Sequence, residues 1–268
     1  MTNPGLTVVS YGGGLNSTAM IVGLYERDTP PDLILFADTG GEYEETYAFL
    51  DVFDDWLAER KMPRVTRISN ADREEAPHSS LEQECLTNGT LPSLAFGFKG
   101  CSAKWKRQPM DRYLAAWAPA KEAWANGEKV TRLIGIDYEE QHRSAELCSQ
   151  EHKRWIYRRP LIDWVWGRDE CREAVERVGL EAPRKSACWF CPATKKHEVL
   201  ALAAERTELF ERAVGMEHNA QSRGGLKTVR GLGRSWSWEA LVEADKAQLK
   251  LFPEAVEEAC GCYDGSDD

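Results

Sequence analysis

Leu6-Thr7-Val8-Val9-Ser10-Tyr11 runs straight into Gly12-Gly13-Gly14-Leu15-Asn16-Ser17, and a second apolar run, Leu33 to Ala37, closes on Asp38-Thr39-Gly40. Between them, Thr18–Glu26 carries helical periodicity. The order strand, glycine turn, helix, strand, carboxylate decides the fold. A glycine turn lets backbone N–H groups approach an anion with no Cβ in the way, and the helix N-terminus behind it adds partial positive charge. A carboxylate closing the next parallel strand lies at the same sheet edge, where nucleotides bind. The two commonest phosphate motifs are absent. No lysine follows the glycines, as a Walker loop requires, and Ser17 stands where the dinucleotide fingerprint needs its third glycine.

Working outward, Thr7–Ser10, Leu33–Ala37, Val65–Ile68, Val130–Gly135 and Trp155–Arg158 read as strands. Thr18–Glu26, Tyr43–Glu59, Gln108–Ala125, Asp169–Val178 and Lys195–Val214 read as helices. Their alternation predicts an α/β, doubly wound parallel sheet of Rossmann-like type with a small C-terminal appendage. Residues 70–100 read as a long irregular connection, which in a compact domain is functional or mobile. From about 215 the chain turns Gly-, Arg- and Trp-rich before an acidic tail. The expected division is therefore a nucleotide-binding domain over 1–214 and an appendage over 215–268.

The net charge of −10 argues against a protein that coats nucleic acid indiscriminately. Basic residues are nevertheless clustered: Lys104, Lys106, Arg107 and Arg112; Arg184, Lys185, Lys195 and Lys196; and Arg223, Lys227, Arg230 and Arg234. One cluster reads as solvated surface; three together also fit a cleft for a polyanion. No apolar stretch is long enough to span a bilayer, and the N-terminus runs almost directly into a core strand, so the expected location is cytoplasmic, away from membranes. In that reducing compartment the eight cysteines are not expected to form disulfides and invite a metal or redox reading instead.

Four segments in order carry a family resemblance. Gly12-Gly13-Gly14-Leu15-Asn16-Ser17 resembles the Ser-Gly-Gly-x-Asp-Ser pyrophosphate loop of the adenine nucleotide alpha hydrolase superfamily, which includes ATP pyrophosphatases and phosphoadenosine phosphosulfate (PAPS) reductases. Asn16 replaces the usual aspartate. Phe36-Ala37-Asp38-Thr39-Gly40-Gly41-Glu42, with Thr46 beyond, is similar to the Asp-Thr-Gly segment of the PAPS reductase-type proteins. Leu133-Ile134-Gly135-Ile136-Asp137, then Glu140 and Arg143, resembles their Gly-Ile-Arg-x-x-Glu-x-x-Arg strand end, with Asp137 where arginine is usual. Arg159-Pro160-Leu161-Ile162-Asp163-Trp164 resembles their Pro-Leu-acidic-Trp segment. The likeness spans roughly residues 6 to 200. It implies an adenine nucleotide, ATP or a relative, held by Ser10, Gly12, Gly13, Gly14, Asn16, Ser17, Asp38, Thr39, Gly40, Gly135 and Arg143, with Mg2+ as companion ion and Asp38 as a catalytic candidate.

Lys185-Ser186-Ala187-Cys188-Trp189-Phe190-Cys191-Pro192 puts two thiols on one turn at metal-binding spacing, and flanking cations would lower their pKa values. Gly100-Cys101-Ser102-Ala103-Lys104-Trp105-Lys106 resembles the cysteine-plus-basic-helix segment of cluster-bearing family members. Cys101, Cys188 and Cys191 are thus the expected ligands of an iron–sulfur cluster, of 4Fe–4S type. Cys85 is the candidate fourth ligand, unless that iron position stays open for exogenous sulfide. Zinc fits less well because His197 alone lies near enough to complete a tetrahedron. The competing reading is a pair of buried structural cysteines, as Cys148 and Cys171 are read here.

Three functional readings follow. In the first, the resemblance implies AMP-forming cleavage of ATP and sulfur transfer to a nucleic acid or nucleotide. Lys104, Lys106, Arg107, Lys185 and Lys195 would face the polyanion, and a sulfur donor such as a cysteine desulfurase and a second copy of the chain are candidate partners. In the second, Ala259-Cys260-Gly261-Cys262-Tyr263 supplies Cys260 as the nucleophile of a sulfonucleotide reductase, matching only Cys-Gly of that family's tail. In the third, the Asn16 and Asp137 departures mark a non-catalytic nucleotide-sensing or nucleic-acid-binding module.

Overall fold

Strands β1 (Thr7–Tyr11), β2 (Leu33–Asp38) and β3 (Val65–Ser69) lie side by side, and β6 (Val130–Ile134) and β7 (Trp155–Arg158) extend the sheet on the other side of β1. Two-residue strands β4 (Leu94–Ala95) and β5 (Phe98–Lys99) lie outside it. The computed structural model describes residues 5–92, 94–95, 98–141 and 153–251, and for 95, 98 and 249–251 the backbone alone. All four pairings in the five-stranded sheet are parallel, in the order β3-β2-β1-β6-β7. The expected α/β parallel sheet is present. After β3 the chain returns to the far side of β1, so the direction of winding reverses between β1 and β6. That is where a parallel sheet opens a crevice beyond its carboxyl edge.

Strand alternation explains how both faces are covered. Val9, Tyr11, Ile34, Phe36 and Leu133 point to one side, where the helices Leu15–Glu26, Glu44–Glu59 and Arg168–Arg177 bring Met20, Ile21, Leu50, Phe53, Leu57 and Val175. Val8, Leu33, Leu35, Ala37 and Val130 point to the other, against Met110, Leu114, Ala120 and Ala123 of the helices Gln108–Ala116 and Ala118–Ala125. Strand β2 is buried along almost its whole length, which is why it reads as a continuous apolar run rather than an alternating one. The expected single helix over 108–125 is broken at Trp117, which takes the extended N-cap conformation (φ −69°, ψ 123°) of a second helix whose first turn accepts Pro119 because no intrahelical N–H is needed there. The Pro-Leu-acidic-Trp segment is a packing element. Its Trp164 ring covers Gly23, where a Cβ would lie 2.4 Å from the ring, and Arg27 stacks over it at 4.0 Å.

The chain divides into two compact units, 1–84 with 95–188, and 85–94 with 189–268. The expected appendage 215–268 thus shares a unit with 189–214 and with the short insertion 85–94. This second unit is helical: Lys196–Glu205, Thr207–Ser222 and Trp238–Leu251 pack together. Asn219 donates to the Leu86 carbonyl at 2.8 Å and Arg223 to that of Thr87 at 2.7 Å, which ties the insertion in. No helix among the described residues is long and apolar enough to cross a membrane.

At the centre of the second unit, the fully buried Glu217 accepts the backbone N–H of Leu232 at 2.6 Å and of Trp238 at 3.0 Å. Burial pushes its carboxyl above the usual carboxylate range, while those N–H groups pull it back in part. The folded state therefore keeps this proton to higher pH than the unfolded chain does. The stability linked to it is full below the ordinary carboxylate pKa and is lost as pH rises through the raised value. Relative to Glu217→Gln, the native protein should lose unfolding free energy as pH climbs above the ordinary carboxylate value of about 4. Denaturant titrations across that range measure it, and a pH-independent difference counts against it.

Candidate functional site

The turn after β1 is built from its own hydroxyls. Gly14 stands at the N-cap of the helix Leu15–Glu26 in extended conformation, and its carbonyl accepts from Ser17 Oγ at 3.1 Å, Thr18 Oγ1 at 3.0 Å and Thr18 N at 3.1 Å. Ser17 Oγ also accepts the Gly12 N–H at 3.3 Å. Gly13 has φ +72°, and a Cβ there would sit 3.0 Å from Thr46 and 3.2 Å from the Phe36 ring, so glycine is required twice over. Tyr11, wholly buried, shares a 3.0 Å hydrogen bond with Thr18 Oγ1, and burial holds its phenol far above the usual tyrosine value. The helix has no side-chain cap, which leaves its first-turn N–H groups for an anion. Ser17 is accordingly part of the loop's own framework.

The far wall of the crevice comes from the end of β6. A Cβ on Gly135 would lie 2.6 Å from Ser17 Cα, so only glycine lets this strand end reach the helix start. Two residues later Asp137, 2% exposed, accepts from Asn16 Nδ2 at 2.7 Å through one oxygen and from the Glu140 N–H at 2.8 Å through the other. The two positions at which the sequence departs from the motifs it resembles, Asn16 and Asp137, are thus one contact. An amide facing an acid stands where the pattern would set an acid facing an arginine. Asn16 Oδ1 is enclosed and accepts no hydrogen bond among the described residues.

Beyond β2, Asp38 Oδ1 accepts from the Gly40 N–H and from Tyr47 Oη, both at 2.7 Å. Burial and the adjacent Asp38 carboxylate hold the Tyr47 phenol well above its ordinary value, so it acts as a fixed donor that orients Asp38. Thr39 is turned to the cysteine segment: its Oγ1 lies 3.0 Å from Cys188 Sγ. Backbone groups of Glu42 and Cys188 form an antiparallel bridge, and Ser186 Oγ donates to the Gly12 carbonyl at 2.6 Å. A Cβ on Gly14 would lie 3.0 Å from Ser186 Oγ, so the bare glycine makes room for that crossing. The segment 186–188 therefore runs over the carboxyl ends of β1 and β2. It carries a half-buried thiol to the edge that holds the glycine loop.

The basic helix is differently disposed. Gly100–Ser102 continues through a π-helical turn, Ala103–Arg107, into Gln108–Ala116; such turns recur at functional sites because they redirect side chains. Lys106 Nζ pairs at 2.8 Å with Glu42 Oε1, a carboxylate whose side chain is fully buried and whose second oxygen accepts no hydrogen bond among the described residues. Lys104 pairs with Glu84, which also accepts from the buried Trp105 Nε1 at 2.5 Å. These two lysines neutralise local carboxylates, whereas Arg107, Lys185 and Lys195 are exposed. Glu84, Tyr47 and Ser186 have no motif of their own, and pairing through space alone marks them.

Cys101 and Cys188 belong to the first unit, Cys191 and Cys85 to the second, and the boundary runs through the Cys-x-x-Cys turn. Within each unit, no group of three His, Cys, Asp or Glu side chains is assembled to hold a metal among the described residues. In donor chemistry the set suits thiolate ligation: Cys101, Cys188 and Cys191 are partly exposed, while Cys85 and Cys171 are buried. Burial pushes the Cys171 thiol up to about 12, in keeping with a structural residue. Ser10 lies at the end of β1, paired in register with Leu35 and Ile134. Arg143, Cys148 and Cys260 lie outside the described residues.

A reciprocal exchange tests the crevice wall. Asn16→Asp alone sets two carboxylates against each other, and Asp137→Asn alone removes the acceptor charge. Together they restore one amide and one acid with the same geometry. The double variant should recover stability lost in the singles, with a coupling of about 1–3 kcal/mol in denaturant unfolding; additive losses would show that the contact does not matter. No protein-family model matches this chain, and comparison with curated proteins finds no significant match.

Proposed function

We propose that the protein is an adenine-nucleotide-dependent sulfur-transfer enzyme of the PAPS reductase type. It would activate an oxygen of a nucleic-acid or nucleotide acceptor by AMP-forming cleavage of ATP. One observation carries this reading: the segment that lays Ser186 on the Gly12 carbonyl also holds Cys188 Sγ 3.0 Å from Thr39, directly after Asp38. A phosphate-type loop and a thiol thereby share one sheet edge, at the point of winding reversal favoured for nucleotides.

The N–H groups at the helix start and the Gly12–Gly14 turn bind the phosphates, and Mg2+ offsets their remaining charge. Asp38, oriented by Tyr47 and the Gly40 N–H, faces the ribose or the metal. The acceptor oxygen attacks the α-phosphorus of ATP, and pyrophosphate leaves with the electron pair of the broken P–O bond. Hydrosulfide released by a sulfur donor then bonds to the activated atom and gives its proton to solvent, and AMP departs with the acceptor oxygen. Cys101, Cys188 and Cys191, with Cys85 as the further candidate, would hold an iron–sulfur cluster, which would supply a binding position for the transferred sulfur.

Pyrophosphate and AMP should appear only when ATP and a sulfur acceptor are both supplied to anaerobically purified protein. Cys188→Ser and Cys191→Ser should lose thiolated product together with iron and acid-labile sulfide, and Cys171→Ser should keep both. Sulfite release from PAPS, or from its unphosphorylated relative APS, without ATP would overturn the reading in favour of a reductase that uses Cys260. ATP binding with no turnover in the presence of donor and acceptor would leave a sensing module.

A further inference from the structure

Residues 218–238 contain no Asp or Glu, although 44 of the chain's 268 residues are acidic. Within them Lys227, Arg230 and Arg234 are exposed, and the side chains of all three have no hydrogen-bond or ion-pair partner among the described residues. This contrasts with Lys104 and Lys106, each committed to a carboxylate of its own neighbourhood. This turn thus carries three exposed cations with no partner among the described residues, where the helix after Cys101 leaves Arg107 alone so placed.

The turn is held in one shape. Gly231 and Arg234 form a bridge, with Arg234 N donating to the Gly231 carbonyl at 2.9 Å and Arg230 N to that of Arg234 at 2.5 Å. Gln221 Nε2 holds the Arg230 carbonyl at 2.9 Å. Beneath it, the buried Glu217 binds the N–H groups of Leu232 and Trp238, and a Cβ on Gly231 would lie 2.3 Å from that carboxylate. Arg234 keeps φ +66°, a region that favours glycine, so an arginine is presented at a point of backbone strain. Trp236 lies against Gly233, where a Cβ would be 2.3 Å from the indole, and Lys196 Nζ stands 5.9 Å from its ring. A buried carboxylate, two tightly packed glycines and a strained residue thus fix an exposed row of cations. A solvated surface loop requires none of these.

We propose that this turn, residues 227–236, is a docking surface for the phosphodiester backbone of a nucleic acid. Two of its three free cations are arginines, whose planar fork matches phosphate oxygens in pairs, and a preset turn loses little entropy on contact. The proposal rests on the sulfur-transfer reading only in taking the docked polymer to be the acceptor. It adds a second anchoring surface, carried by the helical unit, for a long substrate.

Fluorescence anisotropy on the full chain, with a labelled single-stranded RNA and a labelled DNA duplex over a salt series, tests it. The triple variant Lys227→Gln, Arg230→Gln, Arg234→Gln should bind on the order of tenfold more weakly, with a log–log salt slope shallower by about three. A charge-matched control, Arg64→Gln, Lys121→Gln, Lys129→Gln, should keep the slope, and both should melt as the native chain does. Equal losses in the control, or an unchanged slope in the loop variant, would overturn the proposal. Competition by a polyglutamate peptide as effective as unlabelled RNA would overturn it in favour of an acidic protein partner. ATP binding by calorimetry should be unchanged in the loop variant. ATP-dependent pyrophosphate release with a mononucleotide acceptor, in a native protein that binds neither polymer, would remove the docking surface and leave the sulfur-transfer reading standing.

Discussion

The approach of Gly135 to the backbone of Ser17 is the constraint on which the candidate site depends. A parallel sheet that winds outward from β1 in both directions must separate its connections at the carboxyl edge, and that separation is where a ligand can sit. Here the gap is bounded on one side by the glycine turn after β1 and on the other by the strand end of β6. They can meet only because neither presents a side chain at the point of contact. The Asn16–Asp137 hydrogen bond then locks the two walls with a buried carboxylate, both of whose oxygens are satisfied. Satisfied in this way the charge stabilises the wall; with either donor removed it would carry a desolvation cost instead.

A second layer follows from the first. Because Gly14 is bare, the segment 186–188 can lie across the turn, with Ser186 on the Gly12 carbonyl and Cys188 beside Thr39. Thr39 therefore orients a thiol, while Asp38 is fixed by Tyr47 and the Gly40 N–H. Two adjacent residues at one strand end serve different halves of the site because consecutive residues on an extended chain point to opposite sides. The Glu42–Lys106 pair reinforces this layer by tying the π-helical turn to the residue bridged with Cys188.

The helical unit is organised by a different device. Glu217 replaces the apolar residue expected at a fully buried helix position with a carboxylate that gathers backbone N–H groups from the irregular stretch before the last helix. Burying a carboxyl among N–H donors costs solvation and offsets it with hydrogen bonds. What the structure gains is a defined loop in a sequence whose glycines would otherwise leave it with many conformations. The exposed arginines of that loop owe their positions to it.

Sequence by itself determined the five strands of the main sheet, most of the helices and the parallel α/β class, because apolar periodicity and glycine punctuation are local properties. It also marked Gly12–Gly14, Asp38, Gly135 and the Cys-x-x-Cys turn, whose chemistry is tied to residue type and short spacing. Tertiary structure alone decided that Asn16 and Asp137 are partners across 121 positions. It alone turned Thr39 to Cys188, paired Lys104 and Lys106 with carboxylates, and built a buried anchor from Glu217. The physical reason is common to all of these. Charge neutralisation, hydrogen-bond satisfaction and the clearance around a missing Cβ depend on what the folded chain brings within a few ångströms, and no local pattern records the partner.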